Sequence, residues 1–424
     1  MNAVKRDVSG GADWWLRPVG WQAWAVLGVV LGALALRVAY RVPDGGMDNG
    51  IVVRAAEAWL DGRSPYRDRH FLYLPGAVLA AVPQAVLPQG LVRALVPFGV
   101  TAALAAGWAG ALRIHGVPWR SRFAVLGLLG LALGFAPFAH LVELGNWTVA
   151  SAVALPLALL CASRGRWGWA GVVLGCAVAV KPLLVPVLLL FVFARRWRAL
   201  GVAVGVPVVL SAATALALPD PAGFFTRTLP FLLRGGDSFV RLYEASPAAV
   251  LPRLGVPGAV GSLVAGAGAL AGVGCAWARW WRGAPGAGRV VDTAVALMLA
   301  AFLVSRPSYD HYLLVVLPLV LAGAFEAGAV VRGPWFWVAL VPQVPGFTWL
   351  WLEPGTRRAF KDAATLCLLA AAVFHHCATD RRASAPAPAP PSGSAEGQLA
   401  AQGGARRPRP IPAPGRRGPG RGPG

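Results

Sequence analysis

Long runs of apolar residues alternate along most of the chain with short clusters rich in arginine. The runs Phe123–Phe138, Val202–Leu218 and Val256–Trp277 approach the roughly 20 residues that a helix needs to cross about 30 Å of hydrocarbon. A backbone in lipid must satisfy its own hydrogen bonds, and a helix does so within one segment. The pattern therefore predicts an all-α polytopic membrane protein.

Apolar segments predict about twelve transmembrane helices. The run 71–87 is interrupted by Pro75 and Pro83, so it is better interpreted as a short interfacial or re-entrant helix. Leaving this run uncounted places the arginine clusters, including Arg113–Arg122, on the cytoplasmic side, as the positive-inside rule requires. The predicted spans are 21–42, 91–112, 122–138, 147–163, 167–180, 182–194, 199–218, 257–278, 290–304, 312–330, 334–352 and 362–378.

The same pattern divides the chain into three parts. Residues 1–20 form a cytoplasmic N-terminus and 21–378 a transmembrane domain with a helical first outer loop at 43–90 and a second at 219–256. The first apolar run is long for a signal peptide, which predicts a retained anchor. After 378 the composition changes to Pro, Ala, Gly and Arg, which predicts a disordered cytoplasmic tail. We expect a multi-pass protein of the plasma membrane with both termini in the cytoplasm.

The segments on either side of Lys181-Pro182 are too short for ordinary crossings, with about 14 and 13 residues. They form either a short hairpin inside the bundle or one kinked span. The hairpin is favoured because it keeps the arginine clusters at both of its ends in the cytoplasm.

The composition supports the membrane assignment. It excludes a water-soluble enzyme, a secreted disulfide-rich protein and a nucleic-acid-binding module as the main interpretation. Of the 424 residues, 57% are hydrophobic and only 13% are charged, against about 25% charged in soluble proteins. The net charge of +21 lies mostly in loops and tail, which is typical of topogenic charge rather than of a nucleic-acid surface. The five cysteines fall in or beside apolar runs, so a disulfide framework is not expected. Spacings typical of metal ligands are lacking, and we expect neither a metal nor another cofactor.

Asp48 is the first candidate for chemistry, because it lies just beyond the first predicted span. A carboxylate at the edge of a membrane cavity is suited to accept a proton from a hydroxyl. The alternative is that Asp48 caps a helix over Ile51–Leu60, a position that Asp favours.

Lys181 is the second candidate, since it is a lysine inside an apolar segment of a chain that otherwise uses arginine. It could neutralise the phosphate of a lipid-linked substrate within the bundle. Equally, its side chain could extend to the membrane interface beside a helix break.

The turn 305–312 places a cation, a carboxylate and an imidazole together on the side of Asp48. Arg306 and His311 could bind phosphate, whereas a structural contact between Asp310 and His311 is the alternative. On a further turn of the same face, His140, Glu143 and Asn146 are each, when taken alone, more typical of helix caps or loops.

In order and spacing these motifs resemble the bacterial polyprenol-phosphate-mannose-dependent α-mannosyltransferases of glycosyltransferase family 87, which have the GT-C architecture. The family pattern of Asp, a helix ending in Leu-x-Gly, Pro-Tyr and Phe-x-Tyr-x-Pro is matched by Asp48, Leu60/Gly62, Pro65-Tyr66 and Phe71/Tyr73/Pro75. Further matches are Gly145-Asn146, Gly171–Pro182 and the Ser-x-Pro-x-x-x-His string at 305–311. In the second outer loop the chain reads Glu244-Ala245-Ser246-Pro247, where the family commonly carries Asn-Gln-Ser.

The resemblance implies an inverting membrane glycosyltransferase that moves a sugar, expected to be mannose, from a polyprenyl-phosphate donor to a cell-envelope lipid or glycan. It implies Asp48 as catalytic base, and donor or substrate binding by Lys181, Arg306, His311, Asn146, Tyr66 and Tyr73. An arabinofuranosyl or other pentosyl transferase is an alternative of the same class. A lipid or polysaccharide transporter, or an inactive assembly partner, is an alternative of a different class. The expected partners are membrane lipids, the lipid-linked donor as co-substrate and the acceptor, with no nucleic acid.

Overall fold

The computed structural model describes residues 10–234, 243–347 and 354–379, and this part of the chain is helical, without β-strands. The α-helices are Gly10–Leu16, Trp21–Arg41, Met47–Leu60, Pro75–Ala85, Gln89–Ile114, Arg122–Gly134, Ala136–Leu144, Thr148–Ser163, Trp167–Val180, Leu188–Phe193, Trp197–Leu216, Leu229–Arg234, Pro247–Arg253, Gly258–Arg282, Ala287–Val304, Leu317–Ala322, Pro334–Leu340 and Pro354–Thr379. Short 3-10 turns lie at Pro43–Gly45, Pro65–Arg67, Pro182–Val187, Asp310–Val315, Val330–Arg332 and Val341–Gln343, and a π turn at Phe224–Thr228.

Six helices in the described residues are long and apolar enough to cross a membrane, which agrees with a polytopic membrane protein. They are Trp21–Arg41, Gln89–Ile114, Trp197–Leu216, Gly258–Arg282, Ala287–Val304 and Arg358–Thr379. Other segments interpreted as spans are shorter: 148–163, 167–180, 182–193 and 310–322 are apolar helices of 10 to 17 residues. The total of about twelve spans therefore stays a prediction.

The predicted span 122–138 is broken. Helices Arg122–Gly134 and Ala136–Leu144 meet at an angle of 73°. Pro137 stands in the first turn of the second helix, where a proline without its N–H is tolerated, and Phe135 between the helices is extended. The bend directs the second helix and the following Gly145-Asn146 towards the segment that carries Asp48.

Small residues let the helices approach closely in the core. A Cβ on Gly107 would lie 2.6 Å from the carbonyl oxygen of Ala152, and one on Gly171 would lie 2.5 Å from that of Ala199. Small residues at helix interfaces allow such backbone contacts, which drive packing where lipid removes the usual hydrophobic gain. Large apolar side chains such as Leu263 and Leu270 are instead exposed on the outside of the bundle.

The segment around Lys181 is a hairpin, the alternative that the arginine clusters at its two ends favoured. The ring of Trp167, the first residue of Trp167–Val180, lies 5.7 Å from the ring of Phe191 and 5.6 Å from the guanidinium carbon of Arg196. The start of the first arm thus contacts the end of the second. Lys181 is extended (φ −143°, ψ 122°), because the proline that follows disfavours the helical conformation at this position. Lys181 therefore lies at the tip of the hairpin.

The five cysteines are free. The predicted disordered tail from residue 380 and residues 1–9 of the predicted N-terminal segment lie outside the described residues. The predicted domain boundaries stay predictions.

Candidate active site

Two glycine-rich turns bring the Asp48 segment against the end of helix Ala136–Leu144. Gly46 and Gly145 have φ of +117° and +58°, in the region that side chains with a Cβ disfavour. A Cβ on Gly46 would lie 2.3 Å from the carbonyl carbon of Leu144, and one on Gly145 would lie 2.2 Å from the oxygen of Gly45. Only glycine fits either position, and this backbone contact sets how closely the two segments approach.

Asp48 lies in the first turn of helix Met47–Leu60, whose N-cap is Gly46. The alternative that Asp48 caps a helix beginning near Ile51 is therefore wrong: the helix starts four residues earlier than expected. A carboxylate in the first turn interacts favourably with the helix dipole, which accounts for the partly cap-like pattern around it.

A chain of hydrogen bonds joins Asp48 to Lys181 through Asn146. The Asn146 amide nitrogen donates to Oδ2 of Asp48 at 2.5 Å. The Asn146 amide oxygen accepts from Nζ of Lys181 at 2.9 Å and from the backbone N–H of Thr148 at 2.7 Å. Nζ of Lys181 also donates to Oγ1 of Thr148 at 2.7 Å. The ammonium is thus held by polar side chains of the protein, not extended to an interface as the alternative required.

Two aromatic rings flank the ammonium of Lys181. Nζ lies 5.6 Å from the ring centroid of Tyr73 and 5.0 Å from that of Tyr312, distances at which a ring attracts a cation. Burial raises the pKa of Tyr73 well above its usual value, and the nearby Asp48 carboxylate raises it further. The phenol therefore stays protonated and can donate a hydrogen bond next to Asp48.

Tyr66 is farther from these groups and supports them. Its hydroxyl donates to the carbonyl oxygen of Tyr73 at 3.4 Å, and its ring packs 5.4 Å from that of Phe71. Burial, and then the charge of Asp220, raise the pKa of Tyr66. Ser64 Oγ donates to Asp220 at 3.2 Å, which joins the Tyr66 turn to the chain beyond helix Trp197–Leu216.

His311 and Asp310 lie in the interior beside this cluster. The His311 ring stacks on Tyr309 with a centroid distance of 5.3 Å and meets the Tyr312 ring edge-on at 5.2 Å. The charges of Lys181 and Asp48 act on it. The alternative contact between neighbours is present, since Asp310 Oδ1 accepts from the His311 backbone N–H at 2.7 Å.

Asp310 also binds a second histidine. Its Oδ2 lies 2.5 Å from Nδ1 of His140, which is inside helix Ala136–Leu144 and thus neither a cap nor a loop residue. Arg306, by contrast, forms an ion pair with Glu244 at 3.8 Å. The structure therefore brings Asp48, Asn146, Lys181, Tyr73 and His311 together, and it places Arg306 and Tyr66 around them.

Thr148 and Tyr312 were not singled out from the sequence, and neither was the pairing of His140 with Asp310. The only sequence signal for a site role of Thr148 was its closeness in the chain to Asn146, and the only signal for Tyr312 was its closeness to His311. His140 and Asp310 are separated by 170 positions, so their pairing left no trace in local spacing. Within the described residues, no group of three or more His, Cys, Asp or Glu side chains could hold a metal ion.

We expect Gly145→Ala to break the site while Gly130→Ala leaves it intact. A non-glycine residue in the left-handed region costs roughly 1–2 kcal/mol, and the Cβ would also push the Gly45 carbonyl, and with it Asp48, away from Asn146. Gly130 is in a helix, and a Cβ added there would have nothing within 4 Å, while alanine favours the helical conformation. Thermal unfolding and abundance in membranes check this; equal behaviour of the two variants contradicts the role of the glycine contact.

These features define an all-helical membrane protein with a buried site in which a carboxylate and an ammonium are linked by one amide. The chain belongs to glycosyltransferase family 87, whose family pattern matches residues 71–305. It is therefore grouped with enzymes that transfer sugars, and not with the transporters that the sequence left open.

Curated relatives carry two kinds of activity in their names. An α-(1→3)-arabinofuranosyltransferase of Mycobacterium tuberculosis is 33% identical over 238 residues, 53% of each chain. A polyprenol-phosphate-mannose-dependent α-(1-2)-phosphatidylinositol pentamannoside mannosyltransferase of Mycolicibacterium smegmatis is 28% identical over 346 residues, covering 76% of this chain and 81% of the relative. The chain spans about half the length of the arabinofuranosyltransferases that it matches. No solved structure matches it.

Proposed function

We propose that the protein transfers a sugar from a polyprenyl-phosphate donor to a cell-envelope lipid or glycan, with inversion, on the extracytoplasmic face of the plasma membrane. The observation that carries the proposal is the hydrogen-bonded chain from Asp48 through Asn146 to Lys181. It holds a proton acceptor and a cation at a fixed separation, and glycosyl transfer from a phosphate needs both.

Asp48 is the proposed base. It is half-buried and accepts one hydrogen bond from Asn146. Among the described residues its other oxygen has no hydrogen-bond partner, so it is left for a substrate hydroxyl. As the acceptor hydroxyl attacks the anomeric carbon, its proton passes to the carboxylate. Attack on the face opposite the phosphate inverts the configuration at that carbon.

Lys181 is the proposed ligand of the departing phosphate. As the glycosidic C–O bond breaks, negative charge grows on the polyprenyl phosphate, and a preorganised cation stabilises it. Tyr73 and Tyr312 partly surround the ammonium, so its charge is less screened than at a surface. Arg306 supplies a second cation once its ion pair with Glu244 gives way to the donor. His311 donates a hydrogen bond to the phosphate once the ring of Tyr309 moves aside.

Mannose is the proposed sugar, because the mannosyltransferase relative matches over most of both chains. Arabinofuranose is the second candidate, and the higher identity of the arabinofuranosyltransferase relative favours it.

The deciding experiment incubates the purified full-length protein with a cell-envelope lipid extract and either radiolabelled polyprenyl-phosphate mannose or the corresponding arabinose donor. Label that moves from one donor into glycolipid supports the proposal and identifies the sugar. No transfer from either donor, by protein that remains folded, refutes it.

A further inference from the structure

His140 and Asp310 form a pair of contacting side chains that has no role in the proposed transfer reaction. Nδ1 of His140 lies 2.5 Å from Oδ2 of Asp310, and the carboxylate is 3% exposed. The carboxylate also accepts from the His311 backbone, so it cannot rotate away from His140. A buried acceptor fixed in this way keeps the proton of a neutral imidazole on Nδ1.

The other nitrogen of His140 is available. The side chain is 30% exposed, and among the described residues Nε2 has no hydrogen-bond partner. The ring of His311 is 2% exposed and covered by two tyrosine rings. Of the two imidazoles that Asp310 contacts, only His140 can therefore meet a substrate without a rearrangement.

His140 lies close to the proposed base. It lies four residues before Leu144, the last residue of helix Ala136–Leu144, which corresponds to about 6 Å along the helix axis. Asn146, two residues beyond Leu144, donates directly to Asp48. Leu144, one turn after His140 and on the same face, packs against Gly46 at the start of the Asp48 helix. A sugar ring or two would span this separation.

The charges around His140 favour a neutral ligand. Besides Asp310, the charged groups that act on it are Arg358 and Asp362, which lie 4.0 Å apart as an ion pair. The remaining charge is the negative charge of Asp310, which contacts His140 directly, and Lys181 is not among the charges that act on His140. A phosphate is therefore better placed at Lys181, and hydroxyl groups at His140.

We propose that Nε2 of His140 binds a hydroxyl group of the acceptor and that Asp310 is the positioning residue that orients its ring. The proposal rests on the function proposed above and adds to it the side of the site on which the acceptor binds. The ligand class is a polyol, such as the sugar ring or the inositol of a glycolipid.

Limited carbethoxylation of the full-length protein by diethyl pyrocarbonate, followed by peptide mass spectrometry, tests this without relying on activity. We expect modification of His140 but not of His311, and at least about fivefold less modification of His140 when the cell-envelope lipid extract is present. The purified polyprenyl-phosphate donor alone should give no such protection. His375, which is exposed at the far end of the last helix, should react under every condition.

Kinetics give the second readout. His140→Gln and Asp310→Asn should raise the extract concentration needed for half-maximal transfer by about tenfold and leave donor binding unchanged, with His375→Gln as the matched control. Weakened donor binding in His140→Gln, or modification of His311 in preference to His140, overturns the proposal. If the wild-type protein transfers no sugar, the proposed function is refuted. Protection of His140 by the extract would in that case still show that a ligand binds at His140.

Discussion

Asp48→Asn should reduce turnover by about 10²-fold or more while the protein accumulates normally. The amide has nearly the shape of the carboxylate and can still accept the hydrogen bond that Asn146 donates. It cannot take up the proton of the attacking hydroxyl, and removal of a general base typically costs 10²–10⁴-fold in rate. The lost interaction with the helix dipole is worth only about 0.3–1 kcal/mol. Transfer rates at saturating donor, together with abundance in membranes, measure the effect.

Asp61→Asn is the matched control. Asp61 is an exposed carboxylate at the other end of the same helix, paired with Arg63 at 2.6 Å, and exposed ion pairs contribute little to stability. Asp44→Asn is a second control, since Asp44 accepts from Gln89 and has no place in the proposed reaction. If Asp48→Asn turns over like these two variants, the base is a different residue even though the family assignment stands.

Lys181→Met should weaken binding of the lipid-linked donor by about tenfold or more. The ammonium makes two hydrogen bonds to the protein and retains a third donor for a phosphate oxygen, and a hydrogen bond to a charged group contributes about 1.5–3 kcal/mol. Methionine keeps the length and apolar stem of the side chain between the tyrosine rings. Titration of purified protein with polyprenyl-phosphate mannose, followed by thermal unfolding, gives the affinity.

Two variants make this result interpretable. Lys361→Met removes an ammonium that donates to the Phe347 carbonyl and has no place in the proposed donor site, so this variant should bind donor like the wild type. Lys181→Arg should restore binding only in part, because a guanidinium has a different shape and a rigid planar set of donors. Unchanged donor affinity in Lys181→Met would show that the lysine only holds Asn146 and Thr148 in place.

The helices could be predicted where the length of an apolar run was the dominant signal. Apolar runs bounded by arginine located the six long helices to within a few residues, apart from the last, which begins earlier. The short arms on either side of Lys181-Pro182 left a hairpin or one kinked span, and the arginine clusters at both ends favoured the hairpin. The bend after Gly134 was not predicted, since the sequence there is continuously apolar and only Pro137 marks the break.

The site was predictable only in part. Asp48 and Lys181 could be selected because each is an ionisable residue beside or inside an apolar segment, whereas Asn146 was selected through the family resemblance. The spatial arrangement of these residues could not be predicted from the sequence. It depends on contacts between Gly46 and Leu144 and between Gly145 and Gly45, which join segments far apart in the chain. Arg306 was grouped with His311 from sequence proximity, yet it turns to Glu244, since a long side chain follows the nearest opposite charge rather than its chain neighbours.

With the proposed topology, the short arms of the hairpin would place Lys181 within the electric field of the membrane. Helix Trp167–Val180 has 14 residues, about 21 Å, so with Arg166 at the proposed cytoplasmic boundary its tip stops about 9 Å short of the far edge of a 30 Å hydrocarbon layer. A donor phosphate that binds there from outside crosses about a third of the membrane potential. At about 2.3 kcal/mol per charge per 100 mV, an interior-negative membrane would oppose its binding by about 0.7 kcal/mol, or about threefold. Donor affinity in energised vesicles should therefore be lower than in detergent.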